Sequence, residues 1–127
     1  MNIQSYAKKD IAANQIETAL SLYFEGRDLF SVVTLAGAAE EILGQLLQGR
    51  NGKAGTFRSI WEMLRPANRK APGSEGQSGQ ESGTHIHMDL QQEARFLLGR
   101  AIDDYHTLTG TLSENMLRFQ RTEASSL

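Results

Sequence analysis

Apolar residues recur every three to five positions along most of this sequence, which is the spacing that lines one face of an α-helix. The spacing predicts a first helix over residues 3–24, ended by Gly26, a residue type favoured just past a helix C-terminus. Asp28 is placed to cap a second helix, and a shorter third helix is predicted over residues 54–65. The second helix is expected to bury Leu35, Ala36, Ala39, Ile42, Leu43, Leu46 and Leu47.

A fourth helix is expected to begin at Asp89, which with Gln92 three residues later resembles a capping box. Gly110 ends this helix, and Ser113 is placed to cap a last short one. The apolar stripe of the fourth helix is the clearest in the sequence: Leu90, Ala94, Leu97, Ala101, Tyr105 and Leu108. No segment alternates apolar and polar residues as a half-buried strand does. The sequence therefore predicts an all-α fold, a bundle of four or five helices in one domain spanning residues 1–127.

The segment that precedes the fourth helix has a different composition. Residues 67–88 are rich in glycine and small polar residues and contain almost nothing that can be buried. Such a segment cannot bury enough apolar surface to offset the conformational entropy lost on ordering. We therefore expect residues 67–88 to form a long flexible loop.

Composition excludes several classes of protein. The chain has 127 residues, enough for one core, and no cysteine, which rules out disulfides, thiolate metal sites and a cysteine nucleophile. No run approaches the roughly 18 apolar residues of a membrane-spanning helix, and the N-terminal residues do not follow the signal-peptide pattern. No glycine-rich phosphate loop or dinucleotide fingerprint is present. We therefore expect a cytoplasmic protein with no membrane partner, no cofactor and no small-molecule ligand.

Basic residues are concentrated in one part of the chain. Residues 50–70 contain six basic residues and one acid, although the whole chain has a net charge of −2. Within this segment Arg58, Arg65 and Arg69 share the helix face opposite the apolar one. A basic stripe of this kind can contact RNA phosphates, and it is also typical of a solvated helix face.

Two histidines and a carboxylate alternate just before the fourth helix. His85, His87 and Asp89 are residue types that bind zinc and similar metals. The other interpretation is an exposed loop that holds two histidines, with Asp89 acting as a helix cap. The spacing leaves both interpretations open.

The second and fourth helices are apolar over more than one stripe. Leu29, Phe30, Val32 and Val33 extend the apolar surface of the second helix around its axis, as Leu98 and Ile102 do for the fourth. A helix that is apolar on more than one side is buried on more than one side. We expect a homodimer to cover the second side; the alternative is a five-helix monomer whose core takes up all these residues.

Residues 19–28 and 31–43, together with residues 101–110, resemble a group of small uncharacterised bacterial all-helical proteins that are similar to the HEPN superfamily. The resemblance implies a helical bundle and self-association. Active HEPN ribonucleases carry an arginine followed, after four to six residues, by a histidine, with a polar residue directly after the arginine. Arg100 and His106 have that spacing, but Ala101 follows the arginine.

Residues six apart on one helix point about 120° away from each other, so Arg100 and His106 of one chain do not converge easily. Their neighbours suggest surface pairs instead, Arg100 with Asp104 and His106 with Asp103. We therefore expect a non-catalytic protein that acts through self-association or protein contacts. The alternative is an RNA-binding protein or a metal-independent ribonuclease with a toxin-like or defence role, using Arg100 and His106 or the basic stripe.

Overall fold

The computed structural model describes residues 2–47 and 84–125, and every regular element within these ranges is an α-helix. This confirms the predicted all-α fold. The predicted helix over residues 54–65 and residues 67–83 of the predicted loop lie outside the described residues. The helices are α1 (Lys8–Phe24), α2 (Leu29–Leu46), α3 (Leu90–Thr109) and α4 (Glu114–Ser125).

The first helix begins later than the sequence spacing predicts. α1 starts at Lys8, and residues 2–7 are non-helical and exposed. Ile3 and Tyr6 meet no core surface, so nothing stabilises additional turns at this end. The prediction of a helix start at residue 3 is therefore wrong, because burial, rather than apolar spacing, decides where a short helix begins.

Asp28 caps α2 as predicted. Its Oδ1 accepts hydrogen bonds from the backbone N–H groups of Phe30 at 3.1 Å and Ser31 at 3.4 Å, and its Oδ2 accepts one from the Ser31 hydroxyl at 2.6 Å. These bonds, above all that from the Ser31 hydroxyl, hold the pKa of the Asp28 carboxyl below its ordinary value.

We expect the cap to make stability depend on pH. Because the pKa of Asp28 is lowered by folding, its stabilisation is complete above the ordinary pKa of an aspartate and is lost as the pH falls through the lowered value, below about pH 4. Asp28→Asn keeps a capping side chain without this titration. The difference in unfolding free energy between wild type and variant should be constant from about pH 7 to 5 and shrink below about pH 4. A constant difference down to about pH 2 would contradict the prediction.

Short connections and side-chain contacts show how the four described helices run relative to one another. α1 and α2 are antiparallel because only residues 25–28 join them, and α3 and α4 are antiparallel across the turn at Gly110, where φ is +78°. Glu17 contacts Ser113 at the start of α4, while Tyr23 contacts Phe119 farther along, so α1 and α4 run in the same direction. It follows that α2 and α3 are parallel.

The core forms where α2 packs against both α1 and α3, and α4 completes it against α1. Gly37 and Gly44 are buried on α2 within this bundle. The predicted stripes of α2 and α3 supply six of the buried apolar residues, namely Ala36, Ala39, Leu43, Ala94, Leu97 and Ala101, while Leu46 is exposed. Val32, Val33, Leu98 and Ile102, which were expected on a second side covered by another copy, are buried within the described chain itself. The buried apolar residues are Ala12, Ile16, Ala19, Leu20, Val32, Val33, Ala36, Ala39, Leu43, Ala94, Leu97, Leu98, Ala101, Ile102, Met116 and Phe119.

One of these helices also meets a test for membrane-spanning segments. α2 is long and apolar enough to cross a membrane by length and composition, with a mean hydropathy of 1.3. Core helices meet the same test, and 44% of α2 is buried against its neighbours. This is weak support for a membrane helix.

Candidate functional site

An ion pair joins α2 to α3 inside the bundle. The Nη2 group of Arg100 donates to Oε2 of Glu40 at 3.1 Å. The Glu40 side chain is 1% exposed and that of Arg100 is 23% exposed. Glu40 occupies a position within the apolar stripe of α2, so its carboxylate is enclosed by the packing of the two helices. The pair is therefore a buried carboxylate held by a guanidinium that reaches the edge of the interface.

A second contact fixes the same guanidinium. The central carbon of the Arg100 guanidinium lies 5.7 Å from the ring centroid of Phe96, within the range of a cation–π interaction. Phe96 stands one turn before Arg100 on α3, and Asp104, one turn after it, is fully buried. Arg100 and Asp104 do not lie on the helix surface as predicted, because the Asp104 side chain is buried and that of Arg100 is largely covered.

Arg100 and His106 do not converge in the fold. His106 is exposed in the last turn of α3, while Arg100 is turned towards α2. Six residues of α-helix separate them by about 9 Å along the axis and about 120° around it. The described part of the chain contains no hydrogen bond or ion pair between His106 and Asp103, so that predicted pair does not form. One copy therefore does not join an acid–base imidazole to an anion-binding guanidinium.

His85, His87 and Asp89 do not form a metal centre with one another in the described structure. Both histidines are exposed, and Nδ1 of His85 lies 2.7 Å from the hydroxyl of Thr84. Asp89 caps α3 as predicted, accepting from the backbone N–H of Gln92 at 3.1 Å. Within residues 2–47 and 84–125, no three metal-binding side chains come together. Asp89 therefore has a structural role at the start of the helix.

The basic stripe lies outside the described residues. Arg58, Arg65 and Arg69 all fall between residues 48 and 83, so contact with RNA through them stays a prediction.

A groove opens between α3 and α4, with a volume of about 300 Å³. Gly99, in the middle of α3, is one of its lining residues, and a Cβ atom at this position would meet no atom within 4 Å. The groove was not predicted, although a glycine inside a helix, which costs about 0.5–1 kcal/mol relative to alanine, is a signal in the sequence. The lining residues are Arg95, Gly99, Ile102, Asp103, Phe119, Gln120 and Glu123.

Polar contacts hold α4 beside the groove. Nε of Arg95 lies 3.3 Å from a carboxylate oxygen of Glu123 in an ion pair, and Glu123 also accepts a hydrogen bond from the hydroxyl of Tyr23 at 3.5 Å. Burial raises the pKa of the Tyr23 hydroxyl, and the negative charge of Glu123 raises it further. The Tyr23 ring packs edge to face against Phe119, with centroids 5.6 Å apart. These contacts fix the C-terminal half of α4 against α1 and α3.

The start of α4 is anchored to α1. The carboxylate of Glu17 accepts hydrogen bonds from the hydroxyl of Ser113 and, at 3.0 Å, from the amide of Asn115. The Ser113 oxygen in turn accepts from the backbone N–H of Met116 at 3.2 Å, which makes Ser113 the cap predicted from the sequence. Both ends of α4 are therefore anchored to neighbouring helices.

Comparison of the chain with known protein families, curated proteins and solved structures finds no match.

Proposed function

We propose that this chain is a non-catalytic helical-bundle protein that acts through contacts with a second copy of itself. Arg100 is the observation that carries the non-catalytic part of the proposal. Its guanidinium, the cation expected at a HEPN-like ribonuclease site, is engaged by the buried Glu40 and by Phe96. His106 points to solvent on another side of the same helix. The ion pair between Arg100 and Glu40 therefore contributes to the packing of α2 against α3.

Exposed apolar side chains support self-association. Phe30 lies in the first turn of α2 and is 60% exposed, although Val32 and Val33 just after it are buried. The large apolar residues that the described fold leaves exposed are Ile3, Tyr6, Ile11, Phe30, Leu46, Phe96 and Leu117. Removing such side chains from water favours association by about 25 cal/mol per Å² of apolar surface.

The HEPN-like resemblance is part of the proposal. Residues 31–43 and 101–110, which carry two of its blocks, form the middle of α2 and the second half of α3, and these helices pack against each other. Such packing supports a common bundle architecture. The setting we propose is the bacterial cytoplasm, in keeping with the absence of cysteine.

A metal-independent ribonuclease is the second candidate. The exposed imidazole of His106 favours it, because an acid–base group needs access to the substrate. Two copies would have to bring His106 of one chain to Arg100 of the other.

Sedimentation and RNA cleavage together test the proposal. At micromolar concentration we expect a mass of twice the 14.0 kDa of the chain, and no metal-independent cleavage of mixed RNA. His106→Ala is the control, because its exposed side chain can be removed without affecting the core. A mass of 14.0 kDa that does not rise with concentration would reject self-association. Cleavage that is lost in His106→Ala would establish the ribonuclease.

A further inference from the structure

We propose that α4 is a hinged cover, which opens as a unit about residues 110–113 while α1, α2 and α3 stay folded. Opening uncovers apolar side chains of α1 and α3 that α4 encloses in the closed state. Such opening is a property of a single chain and is independent of the self-association proposed above.

Apolar burial holds α4 far less firmly than the other helices. Met116 and Phe119 are its buried residues, two of twelve, whereas eight of the eighteen residues of α2 are buried. A helix of twelve residues is marginal in water on its own, so α4 depends on its packing contacts for stability. Elements with few buried apolar side chains open at a lower free energy than the core does. We therefore expect α4 to be the first of the four helices to open.

The other three helices keep their core when α4 leaves. Fourteen of the sixteen buried apolar residues of the described chain belong to α1, α2 and α3. α2 packs against both α1 and α3, whereas α4 packs against α1 and is separated from α3 by the groove. Opening of α4 therefore leaves the contacts of α2 with α1 and α3 intact.

Phe119 indicates which surface the cover encloses. Its ring packs edge to face on Tyr23 of α1, with centroids 5.6 Å apart, and it lines the groove together with Ile102 of α3. Phe119 and Ile102 are 3% and 0% exposed in the closed state. Withdrawal of α4 therefore exposes Ile102 and the ring of Tyr23 to water.

Polar contacts at the two ends of α4 act as latches of the cover. At its start, the Glu17 carboxylate accepts hydrogen bonds from the Ser113 hydroxyl and, at 3.0 Å, from the Asn115 amide. At the other end, Arg95 forms its ion pair with Glu123, and their side chains are 45% and 30% exposed. Because water can replace the partners of such partly exposed groups, each latch contributes little net free energy. The latches therefore hold the closed position and still allow α4 to open.

Residues 110–113 have the properties of a hinge. α3 ends at Thr109, Gly110 follows with a φ of +78°, and residues 111–113 are non-helical. Glycine adopts positive and negative φ at similar cost, so Gly110 can change its backbone conformation without strain. A Cβ atom at Gly110 would meet no atom within 4 Å, so a substitution there acts on the backbone conformation rather than on packing.

Native-state amide hydrogen exchange of the full chain tests the cover without any substitution. The slowest amides of α4 are expected to be protected at least about tenfold less than the slowest amides of α2 and α3. Their exchange should also depend less on urea, because opening one helix exposes less surface than global unfolding does. Slowest amides of α4 that match those of α3 in protection and in urea dependence would overturn the proposal.

Two substitutions distinguish opening of α4 from unfolding of the whole chain. Val33→Ala changes the core of α2, which stays packed in the open state, so it should lower the protection of α2 about fivefold and leave that of α4 within about twofold. Glu17→Ala removes a latch and should lower the protection of α4 about tenfold. Glu25→Ala is its matched control, because this exposed glutamate contacts Arg27, and the protection of α4 should stay within about twofold.

Gly110→Ala tests the hinge. The left-handed conformation costs alanine more than glycine, and opening relieves that cost, so the protection of α4 should fall about fivefold or more. Equal losses in α2 and α4 for Val33→Ala would show that α4 opens only with the whole chain. Unchanged protection of α4 in both Glu17→Ala and Gly110→Ala would show that neither residue controls the closed position. Either result overturns the hinged cover, and the wild-type measurement decides the matter if a variant does not fold.

Discussion

Arg100→Ala is expected to lower the free energy of unfolding by about 3–5 kcal/mol, because it leaves the Glu40 carboxylate buried without the guanidinium that neutralises it. Removing one partner of a buried ion pair costs far more than the pair itself contributes, since the remaining charge has lost both its partner and its water. Urea unfolding followed by circular dichroism measures the change. Arg121→Ala is the matched control: its partner Glu114 is exposed and 3.9 Å away, so a change below about 1 kcal/mol is expected.

A double substitution distinguishes the loss of a partner from a general intolerance of change. Glu40→Leu combined with Arg100→Met replaces the pair by apolar side chains of similar size and should restore part of the stability, because the Glu40 carboxylate is removed together with its guanidinium. An Arg100→Ala variant that loses less than about 1 kcal/mol would show that the guanidinium does not support α2 against α3.

The same reasoning affects how a ribonuclease test is interpreted. Loss of cleavage in Arg100→Ala would not identify a catalytic residue, because the substitution is expected to disturb the packing of α2 against α3. His106 is exposed and makes no side-chain hydrogen bond or ion pair with the described residues, so its substitution reports on chemistry with little effect on the fold. The choice between binding protein and ribonuclease therefore rests on His106 rather than on Arg100.

Local patterns predicted the helices and their caps because those features depend on neighbouring residues. The caps at Asp28, Asp89 and Ser113 each form a hydrogen bond to a backbone N–H within three residues, which spacing alone can indicate. The start of α1 depends instead on what residues 2–7 meet in space. No periodicity contains that information.

The partner of Arg100 was not predictable from spacing for the same reason. Glu40 lies 60 positions away on another helix, and parallel packing of α2 and α3 had to be known before the two could be joined. A signal was nevertheless present: Glu40 falls between Ala36 and Leu43 on the apolar stripe of α2, where an acid requires a partner. The groove between α3 and α4 is still harder to predict from the sequence, because it depends on how both ends of α4 are held by other helices.

The second large effect is expected in the core of α3. Leu97→Ala removes a side chain that is 1% exposed, and it should lower the free energy of unfolding by about 2–5 kcal/mol. Part of this loss is the transfer of apolar surface from water, and the rest is the cavity left in a core that α1, α2 and α3 share. Leu117→Ala makes the same chemical change at a position that is 37% exposed and should cost about 1 kcal/mol or less. Urea unfolding of both variants measures the difference. Equal losses would show that Leu97 is no better packed than Leu117, and that α3 does not contribute to the core as the fold indicates.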